Sequence, residues 1–161
     1  MTINVGDKLP DTTFKVMTDN GLGDMTTQDV FAGKTVAVFA VPGAFTPTCS
    51  ALHVPNFLGA LDELKAKGVD TVACISVNDA FVLKAWAKAT AADGKILFLA
   101  DWNAEFAKAT GLELDASGNG LGIRSVRFSM IVEDGVLKTL NIEEGPGVVD
   151  VTSAEKILEA L

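Results

Sequence analysis

A cysteine attacks as its thiolate, so its setting decides what it can do. Cys49 lies in the run Val41-Pro42-Gly43-Ala44-Phe45-Thr46-Pro47-Thr48-Cys49-Ser50. The apolar run Thr35-Val36-Ala37-Val38-Phe39-Ala40-Val41 precedes it, and a stretch with helical spacing, 50–67, follows. The spacing therefore predicts a strand, a Pro-rich loop and a helix start, with the cysteine at that start. Unpaired N–H groups and the positive end of the macrodipole gather there and favour an anion. Pro42 ends the strand through its fixed φ. Pro47 suits the first helical position, where its missing N–H costs nothing. Thr46 lies three residues before Cys49, so one helical turn brings its hydroxyl near the sulfur, to donate to the thiolate or to cap the helix.

The second cysteine reads differently. Cys74 sits in Val72-Ala73-Cys74-Ile75-Ser76-Val77, the interior of an apolar run, and is expected to pack in the core. There is no Cys-x-x-Cys, which a dithiol oxidoreductase would normally carry. One histidine and no paired-cysteine spacing argue against a metal site. A papain-like acyl transfer needs a basic histidine at the thiol, and His53, one turn on, is the sole candidate. Its other reading is a capping or packing residue.

These residues need a scaffold. Strand-like runs fall at 35–41, 69–77 and 96–100, separated by helical patterns at 50–67 and 79–92, with a short helix at 103–110. That alternation predicts crossover units and a largely parallel sheet. The stripe Val82-Ala85-Trp86-Ala89 is the expected buried face of the second helix. After residue 123 the pattern changes to two strands, Ser125 to Val132 and Val136 to Ile142, joined by the turn pair Asp134-Gly135. Ser153 reads as the N-cap of a final helix. The expected fold is a single 1–161 domain: a thioredoxin-like α/β sandwich, with helices on both faces of a central mixed sheet. Gly118-Asn119-Gly120-Leu121-Gly122 reads as a mobile loop, since it follows no strand and lacks a dinucleotide fingerprint.

The 161-residue chain carries a formal charge of −8 and no dense basic cluster, which argues against nucleic acid or an anionic membrane as partner. No apolar run nears the ~18 residues of a membrane span, and residues 1–14 have no secretory-signal pattern. The expected location is the cytoplasm.

Pro42-Gly43-Ala44-Phe45-Thr46-Pro47-Thr48-Cys49 resembles the active-site signature of peroxiredoxins, Pro-x-x-x-Thr-x-x-Cys. With Ser50 and His53-Val54-Pro55 following, the run resembles the type II subgroup. Ser76-Val77-Asn78-Asp79-Ala80-Phe81-Val82 and Arg124-Ser125-Val126-Arg127-Phe128-Ser129 match as well, and the resemblance spans essentially the whole chain. It implies a thioredoxin-like fold and the reduction of hydroperoxides, without cofactor or metal. It implies Cys49 as the attacking thiol, Thr46 bonded to sulfur and peroxide, Pro42 as its shield from water, and Arg127 with its guanidinium at sulfur and peroxide. Arg124 is a secondary support.

An unperturbed thiol, with a pKa of ~8.5, is about 3% thiolate at pH 7, so thiolate formation alone gains at most about thirtyfold. The rest must come from orienting the O–O bond and stabilising the departing oxygen. Peroxide attack leaves a sulfenic acid. Some type II relatives carry a resolving cysteine before the last helix. Here Glu144-Gly145-Pro146-Gly147-Val148-Val149-Asp150-Val151 contains none. This departure points to an external thiol: glutathione with glutaredoxin, or thioredoxin. The alternative is a redox sensor that passes oxidation from Cys49 to a partner protein. A homodimer is also expected, with Phe45 and Phe81 as candidate contacts.

Overall fold

The computed structural model describes all residues, 1–161. Its core is a seven-stranded mixed sheet in the order β2-β1-β5-β4-β3-β8-β9. Strands β3 (Thr35–Val41), β4 (Thr71–Ser76) and β5 (Leu97–Ala100) run parallel at its centre. Both of their faces are covered, which is why they read as continuous apolar runs. Successive side chains go to opposite sides. Ala37, Phe39, Val41, Val72 and Cys74 enter one core layer with Val54, Phe57, Leu64, Leu83, Trp86 and Ile157. Val36, Val38, Ala40, Ala73 and Ile75 enter the other with Phe14, Phe31 and Phe106. Helices α2 (Val54–Gly59), α3 (Leu61–Ala66), α4 (Ala80–Ala89) and α6 (Ala154–Ala160) contribute to the first layer. Helices α1 (Thr27–Phe31) and α5 (Glu105–Thr110) contribute to the second. This is the thioredoxin-like sandwich expected.

Several local expectations need correction. The helical stretch 50–67 is three pieces: a π-helical turn at Cys49–His53, then α2 and α3, separated at Ala60. Pro55 explains the wide turn. It has no N–H to give Ala51, and its ring would crowd that carbonyl in a regular helix. The turn is instead closed by Val54 N–H donating to the Cys49 carbonyl. The buried face of α4 is Ala80, Leu83, Trp86 and Ala87, so the expected stripe shared only Trp86. Ala85 and Ala89 are exposed.

The strand expected at Ser125 to Val132 is broken. Residues Ile123–Ser125 form β7, which pairs with β6 (Glu113–Asp115) in a separate ribbon. Strand β8 is Phe128–Glu133. It pairs with β9 (Val136–Ile142) across Asp134-Gly135, whose φ values of 47° and 78° suit the predicted tight turn. The Gly-rich segment forms the β6–β7 connection, with a 3-10 turn at Ser117–Asn119. An N-terminal hairpin, β1 (Thr13–Thr18) with β2 (Gly21–Thr26), adds the other edge of the sheet.

Candidate active site

The site lies where β3 and β4 end, at the carboxyl edge of the parallel strands. That edge is the usual place for ligands in open α/β sheets. After Val41 the chain turns through buried Pro42 and Gly43 into a short loop. Asn78, from the next strand's exit, holds that loop: its Oδ1 accepts from Ala44 N–H at 3.0 Å and from the Ser76 hydroxyl at 2.6 Å. Arg124 braces the other side, with Nη1 donating to the Pro42 carbonyl at 3.4 Å and Nε to Leu121 at 2.9 Å. A Cβ on Gly43 would come within 2.9 Å of Arg124 Nη1, so a side chain there would displace the end of Arg124. Phe45 sits at φ 63°, a strained position for a non-glycine residue.

The helix begins at Pro47, as expected, and Cys49 is in its first turn. The sulfur is buried, with Cys49 only 1% exposed. Trp86 Nε1 donates to the hydroxyl of the adjacent Ser50 at 3.0 Å and so ties this turn to α4. Thr46 does not donate to the sulfur or cap the helix with its side chain. Its hydroxyl donates to the Gly43 carbonyl at 2.6 Å, which leaves the oxygen's lone pairs as acceptors.

Arg127 comes from the break between β7 and β8 and is 2% exposed. Its Nη2 donates to Cys49 Sγ at 3.1 Å and to the Pro146 carbonyl at 2.8 Å. Its Nε also donates to Pro146, at 3.3 Å, and its Nη1 meets His53 Nδ1 at 2.9 Å. A buried guanidinium is costly unless an anion compensates it. Arg127 makes no ion pair with any carboxylate. The Cys49 sulfur is the ionisable anion in hydrogen-bond reach, so the two burials support one another if that sulfur is a thiolate.

His53 is fully buried among Phe39 and Phe57, at ring distances of 4.8 and 5.5 Å. Its Nε2 lies 3.1 Å from the Thr152 carbonyl. That carbonyl needs a donor, so Nε2 carries the proton and Nδ1 accepts from Arg127. Burial first, and then the Arg127 charge, push its pKa down to about 3. A neutral ring with its lone pair already taken cannot serve as base for the thiol. The papain-like reading is thereby excluded, and His53 aims Arg127 instead. Residues 53 and 127 were both singled out in the sequence; their pairing across 74 residues was not.

This carries a pH consequence. The folded state keeps His53 neutral, whereas the unfolded chain takes up a proton below the ordinary 6.5. His53 thus supports stability fully above that value, and the support is lost as pH falls towards 3. Between pH 7 and pH 5 the loss is about 2 kcal/mol. Urea unfolding at the two pH values should show it, and His53→Gln, neutral throughout, should show a smaller change. An unchanged pH dependence in that variant would refute the assignment.

Cys74 lies in β4 opposite Phe39 on one side and Phe98 on the other, and is fully buried. Burial, with Cys49 adding to it, pushes its thiol well above the ordinary value. Both cysteines are free. No group of histidine, cysteine and acidic side chains is arranged to hold a metal.

A buried cysteine at a helix start, bonded by a buried arginine and reached through a Pro-x-x-x-Thr-x-x loop, can be compared with known proteins. The Redoxin family model matches residues 4–158. Peroxiredoxin-2E-2, chloroplastic, of Oryza sativa subsp. japonica is 49% identical over 99% of this chain and 73% of its own length. The chain belongs to the peroxiredoxin family. Its fold superposes on reduced Prx3 of Vibrio vulnificus in complex with H2O2, with a TM-score of 0.93, 50% identity and 99% of each chain covered. It also superposes on the Plasmodium falciparum antioxidant protein, described as a 1-Cys peroxiredoxin, with a TM-score of 0.90, 28% identity and coverage of 98% and 97%. The type II resemblance is consistent with these relatives. As a peroxiredoxin the protein is a thiol-dependent peroxidase.

Proposed function

We propose that Cys49 is the peroxidatic thiolate, and that Arg127, Thr46 and Pro42 set up its attack on small hydroperoxides. The observation that carries this is the 3.1 Å bond from the buried, carboxylate-free guanidinium to Cys49 Sγ. The sulfur attacks one peroxide oxygen, the O–O bond breaks, and the departing alkoxide or hydroxide takes a proton. The products are a Cys49 sulfenic acid and an alcohol or water. Thr46, whose proton is spent on Gly43, accepts from the peroxide O–H. Four of the five Arg127 N–H groups have partners, so one Nη1–H remains to stabilise charge on the departing oxygen. Pro42, buried at the loop's start, keeps bulk water from the sulfur.

An external thiol completes the cycle in this proposal. One glutathione displaces water from the sulfenic acid to give a mixed disulfide. A second thiol, from glutathione through glutaredoxin, then releases the Cys49 thiol; thioredoxin is the other candidate reductant. Cys74 is ill placed to resolve, since its strand setting holds its thiol protonated and buried. Protein oxidised with one equivalent of H2O2, then given one equivalent of glutathione, should carry one glutathione on Cys49 by intact mass and peptide analysis. A Cys49–Cys74 disulfide as the main product would overturn the one-cysteine cycle. Repeated turnover of peroxide with glutaredoxin or thioredoxin present separates the enzyme from a sensor, which would oxidise once. Two free cysteines suit a reducing compartment, and the cytoplasm is the location we propose.

A homodimer belongs to the same proposal. Phe45, Phe81 and Trp102 are 55%, 62% and 53% exposed, and all three follow the carboxyl ends of β3, β4 or β5. Exposed aromatics gathered at one edge favour a contact between copies beside the active site. Light scattering at tens of micromolar should give twice the chain mass, and Phe81→Asp should give monomer. A wild-type monomer at that concentration would refute the dimer.

A further inference from the structure

We infer that Glu143 is a positioning residue for the Cys49 chemistry, latching a strap, residues 144–152, that holds Arg127 and His53 in place. The inference rests on the proposed role of Arg127. Glu143 directly follows β9 and is buried. Its main-chain N–H donates to the carbonyl of Arg127 itself, at 3.0 Å. Its Oε1 accepts three bonds from the far end of the strap: Asp150 N–H at 2.6 Å, Thr152 N–H at 2.9 Å and the Thr152 hydroxyl at 3.1 Å.

The strap itself is mostly exposed between these two buried ends. Ser153 N–H to the Asp150 carbonyl is the only main-chain to main-chain bond that a strap residue makes. The Glu143 carboxylate adds three bonds that fix the strap's far end. Yet the strap supplies two of the acceptors that fix Arg127 and His53. The Pro146 carbonyl takes two bonds from Arg127, and the Thr152 carbonyl takes one from His53 Nε2. Releasing the carboxylate end frees both together.

The same arrangement settles a question of charge. Burial pushes the Glu143 carboxyl up, but the bonds from Thr152 and Asp150 outweigh it and hold it below the usual carboxylate range. The carboxylate bonds the strap through Oε1 and forms no ion pair with Arg127. The guanidinium is left to the Cys49 sulfur. Glu143 thus supports the site without competing for the cation.

The test is the rate constant for oxidation of Cys49 by H2O2 in a single turnover, measured in two backgrounds. Glu143→Ala should slow it ten- to hundredfold, the scale of a small misplacement of catalytic groups. Glu143→Gln keeps the acceptor oxygen and should recover most of that loss. In an Arg127→Ala background the Glu143→Ala substitution should change the rate less than about twofold, because the group it positions is gone. A purely structural role predicts the same loss in both backgrounds, and that result would overturn the inference. So would a wild-type rate in Glu143→Ala. If Glu143→Ala does not fold, Thr152→Val removes one of the three bonds. It should give a several-fold loss that likewise disappears with Arg127→Ala, and no loss would overturn the inference. A wild-type rate in Arg127→Ala alone would remove the proposed role of Arg127, and this inference with it. A slow Arg127→Ala with an unaffected Glu143→Ala would remove only the inference.

Discussion

Cys49→Ser should lose peroxide turnover by a factor on the order of 10³ or more, while Cys74→Ala keeps most of it. A serine hydroxyl cannot form a comparable anion near neutral pH, and oxygen does not attack a peroxide as a thiolate does. The difference between the two cysteines comes from their surroundings, not from exposure: both are buried. Cys49 sits in the first turn of a helix with a guanidinium nitrogen 3.1 Å from its sulfur. Cys74 faces Phe39 and Phe98 across the sheet, in a layer of apolar side chains. Its thiol stays protonated there. Alanine is the better probe at 74, because serine would bury a hydroxyl at a cost of about 1–3 kcal/mol. Peroxide consumption with reductant in excess, on variants whose folding is checked by circular dichroism, measures both. Equal loss in a folded Cys74→Ala would make Cys74 part of the cycle and end the one-cysteine scheme.

How much of this was legible in the sequence depended on whether a signal was local. Strand β3, Pro42, Pro47 and the cysteine at the helix start follow one another along the chain, and local rules place them. The Asp134-Gly135 turn and the Ser153 cap are local too. The stripe on α4 was local but misread. Alanine fits either face, and Trp86 belongs to both candidate stripes; Leu83 was the residue that should have decided the frame. The hairpin β1–β2 was missed because its outer strand, Gly21–Thr26, is an exposed edge with no fully buried residue. The break at Val126-Arg127 was missed for a different reason. A β-pattern runs through it, but Arg127 turns inward to meet groups from two distant segments, the Cys49–His53 turn and the stretch that carries Pro146. His53, Pro146 and Cys49 lie 74, 19 and 78 residues away. Glu143 gave no signal at all, since a lone glutamate after a strand looks like any solvated charge. Resemblance named the arginine; only the fold shows what aims it.

Replacing Arg127 should cut the oxidation rate of Cys49 on the order of 10²–10³ for alanine, with lysine intermediate. The guanidinium does two things that a single charge cannot do together. Through Nη2 it bonds the sulfur, and through its other nitrogens it is held by His53 and Pro146. Lysine restores a positive charge but has no planar fork, so it cannot keep the sulfur bond and both anchors at once. Stability should move much less than rate. Alanine leaves the His53 Nδ1 and the Pro146 carbonyl without their donor, which destabilises. It also removes a buried charge that has no carboxylate partner, which offsets that loss. Single-turnover rates with H2O2, set beside urea midpoints, separate the two effects. Wild-type oxidation in a folded Arg127→Ala would show that the 3.1 Å contact only fills space, and activation of Cys49 would then have to come from the helix start alone. A graded series, wild type faster than lysine and lysine faster than alanine, would show that both the charge and the fork geometry act on the peroxide.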